Sequence, residues 1–552
     1  MTDSMGIARF VRRLLALCAL GLLATGVRAD GGRLVSPAWL EQQLQAQAVL
    51  LLDASMPPQH AAGHIAGAVN APAFATGGRE IPVAAMERML RAWGVSAGRR
   101  IVVYDEGGSW MATRLVHDLT YHGVPLEDIH LLDGGLHRWK AAGKPVTKEP
   151  TPAPAAGNFR ITRVQEEARV RLNEIIAASG DPARHAIVDA LEPPYFYGGA
   201  KFFDRGGHIP TARLWPSSDF FNTDKTFKSA DEIGRMLAHH GITPAQTVHV
   251  YCGGGGAAAV PVFALRVLLG RDKVKLYNES QREWLADERG LPLWTYPAPS
   301  LLRRAAWLEA WASPMLRMFG MSSISVVDVR PPEAYRLGHV PYALSLPAAT
   351  FRAHVNQPDR LAELLGAAGV NMEHEAVVVG DRGLTPDVAL AGWMLERLGQ
   401  KKVAVLAEGF DEWALGGMSV AKEPTVVGAP RSPQDRAVPA TAYAYRPRAA
   451  AAPAAGAAYP LVYIAAGRQT PARAPAGAPE GAKLVHLPHT ELLDAVGSPK
   501  PAKDLWTLLA KAGVPRYAQL VTFADDMGEA ALSYLVLKLM GFVDVKVAQP
   551  GP

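Results

Sequence analysis

Short apolar segments rich in Val, Ile and Leu alternate with amphipathic segments along most of the chain. Residues 84–93 and 231–240, for example, place apolar side chains three or four positions apart, as in a helix with one buried face. The intervening apolar segments are short and β-branched, which is typical of strands in a parallel sheet. The pattern predicts an α/β fold in which small parallel sheets carry helices on both faces.

The same arrangement of strands and marker residues occurs three times. In each copy a first strand ends in Asp, namely Asp53, Asp189 and Asp328. A Gly-His pair follows, and a Trp comes 74 to 76 residues after the His, as in His64 to Trp139, His208 to Trp284 and His339 to Trp413. A middle strand in each copy ends 18 residues before a Gly that closes the next helix. Agreement between independent spacings indicates three structural repeats.

A fourth and weaker copy follows near the C-terminal end. Its first strand, 461–464, precedes two alanines where the other copies have Asp. Its middle strand, 520–524, precedes an apolar helix over 530–540, while the Gly-His pair and the closing Trp are missing. The Pro- and Ala-rich residues 424–460 are typical of a partly extended linker.

The N-terminal residues have the pattern of a secretory signal peptide. Three arginines among the first thirteen residues precede an apolar run over 14–26, which leads into a small-x-small ending. This order predicts a signal peptide over 1–29 and a periplasmic or secreted protein. The run is too short to span a bilayer, and Cys18 within it would be lost on cleavage. No other run predicts a membrane span in the mature chain.

These features give the predicted domain boundaries. They are 1–29 for the signal peptide, 30–150, 151–300 and 301–425 for the three clear repeats, 426–460 for the linker and 461–552 for the degenerate fourth repeat. The net charge of +5 is small for 552 residues, and basic residues form no stripe with aromatic ones. The sequence therefore predicts no nucleic-acid partner. It predicts no metal and no cofactor.

After Cys18 the chain contains a single cysteine, Cys252. It lies at the end of the middle strand of the second repeat and is followed by four glycines and three alanines. Ligands of parallel sheets bind outside the carboxyl ends of the strands. Backbone N–H groups of such a loop, and a helix N-terminus behind it, favour the anionic form of sulfur. Cys252 is therefore the predicted catalytic residue.

Three segments resemble motifs of a known family. Residues 328–343, Asp-Val-Arg-Pro-Pro-Glu-Ala-Tyr-Arg-Leu-Gly-His-Val-Pro-Tyr-Ala, resemble the rhodanese-domain signature. Residues 131–139 and 276–284, each ending in Trp, resemble the family's closing motif. On these motifs the chain is similar to multi-domain tandem rhodaneses, which are sulfurtransferases. The resemblance implies repeated rhodanese-like domains, each a small parallel sheet with helices on both faces.

The resemblance also implies a mechanism. In this family a loop cysteine attacks a sulfur donor, becomes a persulfide and passes the outer sulfur to a nucleophile. Cys252 matches that cysteine, and the substrate-binding loop would be Gly253, Gly254, Gly255, Gly256 and Ala257. A thiolate is the nucleophile in such chemistry, and glycines let the backbone approach the bound sulfur.

The other repeats lack this cysteine. Asp105 stands in the equivalent position of the first repeat, Asp381 in the third, and Ala524 or Asp525 in the fourth. A carboxylate cannot carry a persulfide and would repel an anionic donor. The first, third and fourth repeats are therefore predicted to be inert as sulfurtransferases.

The predicted partners are a small sulfur-containing donor and a thiol, cyanide or protein acceptor. The neutral glycine loop is closer to that of 3-mercaptopyruvate sulfurtransferases than to cationic loops that prefer thiosulfate. The family's substrate-binding arginine is absent after Asp189, which leaves Arg205 as the candidate anion ligand, with a solvated surface charge as its alternative role. Because mercaptopyruvate is a cytosolic metabolite and export is predicted, thiosulfate is the favoured donor, with mercaptopyruvate as the alternative.

Two other classes of function are compared. A cysteine phosphatase or arsenate reductase needs a longer loop ending in Arg, whereas Ala257 and Ala258 follow the glycines. A non-enzymatic sulfur carrier or binding scaffold stays open because three repeats are predicted to be inert. The repeated His, Trp and first-strand Asp residues occur in inert repeats as well, so they are predicted to be structural.

Overall fold

The computed structural model describes residues 32–73, 75, 79–429, 431–432, 437–446, 459–471, 475, 477–480 and 482–548. The predicted signal peptide, 1–29, lies outside the described residues, as does part of the predicted linker. The chain divides into two compact units. The first comprises residues up to Leu172 with Pro216–Ala230 and His249–Ser280, and the second comprises Asn173–Trp215, Asp231–Val248 and the residues from Gln281 onwards.

The first repeat forms a five-stranded sheet in which all strand pairs are parallel. Its strands are β1 (Leu34–Val35), β2 (Leu50–Asp53), β3 (Val69–Asn70), β4 (Ile101–Tyr104) and β5 (Ile129–Leu132). They lie in the order β1-β5-β4-β2-β3. Its helices are α1 (Pro37–Gln45), α2 (Pro57–Ala62), α3 (Val83–Ala92), α4 (Met111–Tyr121) and α5 (Gly135–Ala141).

The second repeat forms a four-stranded sheet. Its strands are β6 (His185–Asp189), β7 (Arg213–Leu214), β8 (Thr247–Tyr251) and β9 (Val274–Leu276), in the order β7-β6-β8-β9. Its helices are α6 (Leu172–Ser179), α7 (Pro193–Phe196), α8 (Ala230–His239), α9 (Ala259–Phe263) and α10 (Ser280–Ala286). A π-helical turn, Ala264–Leu268, continues α9.

The third repeat again has five parallel strands. They are β10 (Leu302–Arg303), β11 (Ile324–Asp328), β12 (Leu344–Ser345), β13 (Glu375–Val379) and β14 (Lys402–Leu406), in the order β10-β14-β13-β11-β12. Its helices are α11 (Ala305–Trp311), α12 (Pro314–Met318), α13 (Pro332–Leu337), α14 (Ala348–Ala353), α15 (Pro358–Ala367), α16 (Pro386–Leu398) and α17 (Gly409–Leu415).

The predicted linker contains packed structure as well as residues that are not described. A parallel pair is formed by β15 (Val426–Val427) and β16 (Ala437–Val438). Farther along, the Thr441 hydroxyl donates to the carbonyl of Val370, and the backbone N–H of Arg446 donates to the carbonyl of Leu398 at 2.9 Å. Residues 437–446 therefore run along the third repeat and differ in this from a freely extended linker.

The fourth copy forms a sheet with the strand arrangement of the second repeat. Its strands are β17 (Leu461–Ala465), β18 (Lys483–His486), β19 (Gln519–Phe523) and β20 (Val545–Val547), and its helices are α18 (Ala502–Lys511) and α19 (Met527–Leu539). The order β18-β17-β19-β20 matches β7-β6-β8-β9 strand for strand. The predicted α/β fold of repeated parallel sheets with flanking helices is confirmed.

The central strands are buried along their length, which explains their continuous apolar sequences. Every residue of β4 is buried, and so are four of the five residues of β8. A strand covered by helices on both faces needs apolar side chains at every position. The predicted helices over 84–93 and 231–240 correspond to α3 and α8 and are confirmed to within one residue.

Among the described residues, no helix is long and apolar enough to cross a membrane.

The repeated His and Trp residues make the same contacts in each clear repeat. Each His Nδ1 lies 2.8 to 3.0 Å from a backbone carbonyl oxygen, that of His60, Phe196 or Tyr335. Each Trp Nε1 donates at 2.8 to 3.0 Å to the carbonyl of Pro145, Pro292 or Ser419. Each first-strand Asp accepts from the backbone N–H two residues later. Since these contacts recur where the cysteine is absent, they stabilise the repeats and have no special relation to Cys252.

Candidate active site

Cys252 directly follows β8 at the carboxyl end of the strand, where the sequence predicted it. It is the one free cysteine among the described residues, and it is buried, with 3% of its surface exposed. The backbone N–H of Gly255 points at its Sγ, with an N···S distance of 3.1 Å. The loop therefore bends back on the sulfur and gives it a hydrogen-bond donor. Helix α9 begins only at Ala259, so the local donor on Sγ is a loop amide.

Ser280 holds the backbone of Cys252 from the other side. Its Oγ accepts the backbone N–H of Cys252 at 3.0 Å and donates to the carbonyl of Tyr277 at 2.8 Å. The same oxygen lies 3.9 Å from Sγ. Ser280 is fully buried and adopts φ +55°, in the left-handed region that side chains other than glycine rarely occupy. Such strained residues persist where the surrounding structure fixes them, frequently at functional sites.

Two of the four loop glycines are required by their surroundings. Gly255 has φ +84°, and a Cβ atom there would overlap the backbone carbonyl of Asn278. A Cβ atom at Gly256 would lie 3.0 Å from the indole ring of Trp110. A side chain at either position would push the loop away from its neighbours. The glycine run is thus a steric requirement of this tightly covered loop.

The cover comes from the first repeat. Trp110 precedes α4, and Arg114, in the first turn of α4, donates from Nη1 to the carbonyl of Gly255 at 2.9 Å. The guanidinium is buried and also donates from Nε to both carboxylate oxygens of Asp118, at 3.1 and 3.0 Å. Arg114 therefore fixes the position of the peptide whose neighbouring N–H contacts the sulfur. The ion pair with Asp118 balances the charge of the guanidinium beside this otherwise uncharged loop.

The covering is reciprocal. The equivalent loop of the first repeat contains Gly108, and a Cβ atom there would lie 2.7 Å from Cδ of Lys225 in the second repeat. The backbone N–H of Phe227 donates to Oδ1 of Asp133 at 2.8 Å. Each of the two loops is thus packed against residues of the other repeat, within the first compact unit.

Asp105 fills the cysteine position of the first repeat. Its carboxylate accepts the backbone N–H of Gly107 at 2.8 Å and that of Ala112 at 2.9 Å. Burial, foremost, and the neighbouring Glu106 raise the pKa of this carboxyl to about 7, against an ordinary value of 3.8. In the first repeat the loop amides therefore donate to the carboxyl group of Asp105, where those of the second repeat surround a sulfur atom.

The third and fourth repeats fill the position differently. In the third repeat Gly380 directly follows β13, and the pairing of Asp328 with Val379 matches that of Asp53 with Tyr104. The prediction that Asp381 stands in the cysteine position is therefore wrong: Gly380 is the counterpart, and Asp381 lies one residue farther along the loop. The Asp381 side chain is 57% exposed, with Oδ1 3.8 Å from Nη1 of Arg330. Partial burial raises the pKa of Asp381, and Arg330 opposes this shift. In the fourth repeat Ala524 directly follows β19, as Cys252 follows β8, so Ala524 and not Asp525 is the structural counterpart of the cysteine.

Three stretches of the chain, 36–142, 172–287 and 312–415, match the rhodanese-like domain, and together they cover more than half of its residues. The chain belongs to the rhodanese-like domain family. The matched stretches do not include 461–552, whose assignment to the family stays a prediction supported by its sheet topology. The predicted domain boundaries also stay predictions.

Curated relatives of this rhodanese are sulfurtransferases and a sulfur carrier by name. "Putative thiosulfate sulfurtransferase" of Synechococcus elongatus is 30% identical over 292 residues, which are 50% of this chain and 88% of that protein. "Putative thiosulfate sulfurtransferase SseB" of Mycobacterium tuberculosis is 32% identical over 280 residues, 47% of this chain and 96% of that protein. "Sulfur carrier protein TtuD" of Thermus thermophilus is 28% identical over 207 residues, 36% of this chain and 72% of that protein. The protein is a rhodanese-type sulfurtransferase.

The structure brings only part of the predicted site into contact with sulfur. Gly255 donates to Sγ and Gly256 packs against Trp110, while Gly253, Gly254 and Ala257 are partly buried parts of the same loop. Arg205 is exposed and donates from Nη2 to the carbonyl of Leu291 at 2.9 Å. This bond gives Arg205 a structural partner, and its role as an anion ligand stays a prediction.

Four residues of the rhodanese site were missed by sequence reasoning. Ser280 and Asn278 belong to the closing motif 276–284, in which the sequence assigned a role only to the Trp. Trp110 and Arg114 lie in the first repeat, which was predicted to be inert. One signal could have found them: both residues come just after the loop of the first repeat that corresponds to the Cys252 loop. Among the described residues, no group of His, Cys, Asp and Glu could hold a metal ion.

Proposed function

We propose that Cys252 takes up sulfane sulfur as a persulfide and delivers it to a thiol, cyanide or protein acceptor. The observation that supports this most directly is the Gly255 N–H on Sγ at the carboxyl end of β8. A backbone donor at this place stabilises negative charge on sulfur before and after loading. Gly253, Gly254, Gly256 and Ala257 complete the proposed binding loop, with Arg205 as the proposed outer anion ligand.

The proposed reaction has two displacement steps. The Cys252 thiolate attacks the outer sulfur of thiosulfate, a new S–S bond forms, and the old S–S bond breaks with its electron pair leaving on sulfite. The acceptor then attacks the outer sulfur of the persulfide, and the electron pair of that S–S bond returns to Cys252. No external oxidant or reductant is needed, because sulfur moves between nucleophiles.

Thiosulfate is the donor we propose, and two observations support it. Two of the relatives are named for thiosulfate. The loop itself carries no acidic residue, and the Arg114 guanidinium donates to the carbonyl of Gly255 while it is ion-paired with Asp118. An anionic donor therefore meets no acidic side chain within the loop, although the family arginine after Asp189 is missing.

The test of the proposal is intact-mass analysis of the full chain after incubation with thiosulfate. The expected result is a mass gain of one sulfur atom, with stoichiometric release of sulfite. Cys252→Ser should lose the gain, and the matched control Cys18→Ser should keep it. A gain that survives in Cys252→Ser, or no gain from any sulfane donor, would contradict the proposal. Repeating the incubation with 3-mercaptopyruvate decides between the two donors.

A sulfur carrier without turnover is the second candidate. It is favoured by the depth of the cysteine, which is 3% exposed, and by the name of the Thermus thermophilus relative. A carrier would load once and release sulfur only to a particular protein. Continuous thiocyanate formation from thiosulfate and cyanide would support the enzyme, whereas a stable loaded form in excess cyanide would support the carrier.

We also propose export, from the predicted signal peptide over 1–29. Expression in a bacterial host with separation of the periplasmic fraction tests it. The expected product in that fraction begins at Asp30, as determined by its mass. Recovery of only the uncleaved chain, in the cytoplasmic fraction, would contradict the proposal.

A further inference from the structure

The second compact unit contains a cavity of about 410 Å³. Its walls come from the second and fourth repeats and the segment between the second and third. They include Tyr197, Arg213, His240, Trp294, Arg516 and Tyr517. A volume of this size lies in the range of small-molecule sites in proteins, about 300–1,000 Å³. None of the residues that line this cavity belongs to the set described around Cys252.

The charges at this cavity are of one sign. Arg213 and Arg516 line it, and none of its lining residues is Asp or Glu. The Nη1 atom of Arg213 is buried and has no hydrogen-bond partner within the described part of the chain. Burial lowers the pKa of Arg213, and no acidic neighbour opposes the shift. A buried donor without an acceptor is costly, so an acceptor that entered the cavity would be bound favourably.

Two histidines line the cavity, and the charged neighbours of His240 are basic. His240 Nε2 lies 3.3 Å from the hydroxyl of Tyr517. Burial holds the pKa of His240 well below its ordinary value, and His239, Arg213 and Arg516 lower it further. Burial also lowers the pKa of His239, with Asp544 opposing that shift. Burial disfavours a charge of either sign, whereas the basic side chains around His240 oppose only an additional positive charge.

The remaining walls are apolar and aromatic. Tyr197 and Trp294 line the cavity together with Pro297, Ala298 and Met540. Tyr197 is buried, and its ring stacks on Trp506 with centroids 5.5 Å apart. These walls suit an apolar or aromatic body, while the arginines suit an acidic group.

We propose that this cavity binds a small organic anion, with its acidic group on Arg213 and its apolar body against the aromatic walls. Both the buried Nη1 atom of Arg213, which has no partner among the described residues, and the absence of acidic lining residues support the negative group. Carboxylates, sulfonates and phosphates share this chemistry, since each accepts paired hydrogen bonds from a guanidinium.

The experiment is calorimetric titration of the full chain with naphthalene-2-sulfonate as the probe. One site per chain is expected. Arg213→Gln should weaken binding by about tenfold or more, because a charged hydrogen bond contributes roughly 1.5–3 kcal/mol. The matched control Arg336→Gln, at an exposed position on α13, should bind as the natural chain does. Ala298→Leu keeps the charges but fills space, and it should also weaken binding about tenfold.

Two further probes separate the parts of the ligand. Inorganic sulfate has the charge without the body, and 2-naphthol has the body without the charge, so both should bind more weakly than the sulfonate. Thermal unfolding verifies that each variant is folded. If Arg213→Gln does not fold, the binding of the sulfonate to Ala298→Leu and the binding of the two probes to the natural chain test the proposal. Absence of sulfonate binding, equal binding by folded Arg213→Gln, or equally tight binding of 2-naphthol would overturn the proposal.

Discussion

The loops that begin at Cys252 and Ala524 occupy the same place in two copies of one arrangement. Each follows a middle strand, β8 or β19, and each is covered by the preceding repeat. Gly256 is packed against Trp110, and Gly528 is packed against Pro386, where an added Cβ atom would lie 2.6 Å from the carbonyl oxygen. The covering is thus a property of the paired repeats and does not depend on the cysteine.

The difference lies in what the two loops hold. The Cys252 loop is a run of glycines around one sulfur atom, with Arg114 on a backbone carbonyl. The Ala524 loop carries acidic residues, and Arg352 bridges Asp387 at 2.7 Å and Asp526 at 2.8 Å across the two repeats. Both pairs therefore hold the arginine in ion pairs, the first with Asp118 and the second with two aspartates. They differ in that the first loop has no acidic residue and leaves the sulfur with backbone donors. The two copies thus share one arrangement of sheet and helices and differ at a few residues of this loop.

Gly255→Ala should produce the largest effect among variants that keep the cysteine. The methyl group would clash with Asn278 and strain φ +84°, so the loop would move and the N–H would leave the sulfur. We expect cyanide turnover to fall about a hundredfold, since small misplacements of reacting groups have effects of this size. The matched control is Gly497→Ala, which has the same φ of +84° but no atom within 4 Å. Unchanged turnover in Gly255→Ala would show that the loop geometry is not needed.

Asp105→Asn should change the pH dependence of stability. Because the pKa of Asp105 is raised to about 7 in the folded protein, the unfolded chain loses this proton first as the pH rises. Stability is therefore lost as the pH rises from about 4 to 7. The part of this loss that falls between pH 5 and pH 8 is roughly 2.5 kcal/mol. The variant should remove this loss in denaturant unfolding of the chain at both pH values. Asp381→Asn, at an exposed carboxyl, should leave it in place. An unchanged pH profile in Asp105→Asn would contradict the assignment.

Arg114→Met should lower turnover about tenfold, which corresponds to the loss of one charged hydrogen bond to Gly255. Because Arg114 acts by positioning the loop, kcat should fall more than KM for thiosulfate changes. Arg352→Met removes the bridging arginine of the other pair and should leave both constants unchanged. A rise in KM alone would instead make Arg114 a substrate ligand.

Ala524→Cys should have the smallest effect on sulfur transfer. It restores the thiol at the equivalent place, but the following residues are Asp525 and Asp526, whose charge disfavours a sulfur anion and an anionic donor. In a Cys252→Ser background, we expect no mass gain from thiosulfate at residue 524. Loading of this cysteine would show that the framework alone suffices and that the glycine loop is dispensable.

Much of the fold could be predicted because its signals are local. Apolar strands, amphipathic helices and repeated spacings identified the parallel sheets, and the strand-cysteine-glycine order correctly placed Cys252 at the carboxyl end of a strand. Residues 437–446 could not be placed in this way, because a Pro- and Ala-rich composition does not reveal packing against another repeat. Asp105 and Asp381 looked equivalent in sequence, yet Asp105 directly follows its strand and is buried, whereas Asp381 lies one residue farther along and is largely exposed.

By itself the sequence determined that Cys252 stands at the carboxyl end of a buried strand, because side-chain periodicity and glycine positions depend on neighbouring residues. Only the tertiary structure decided which groups surround the sulfur. The bond from Arg114 to Gly255 joins residues 141 positions apart, and it exists because two repeats cover each other's loops. No local pattern encodes such a contact, since it depends on how whole sheets and helices pack.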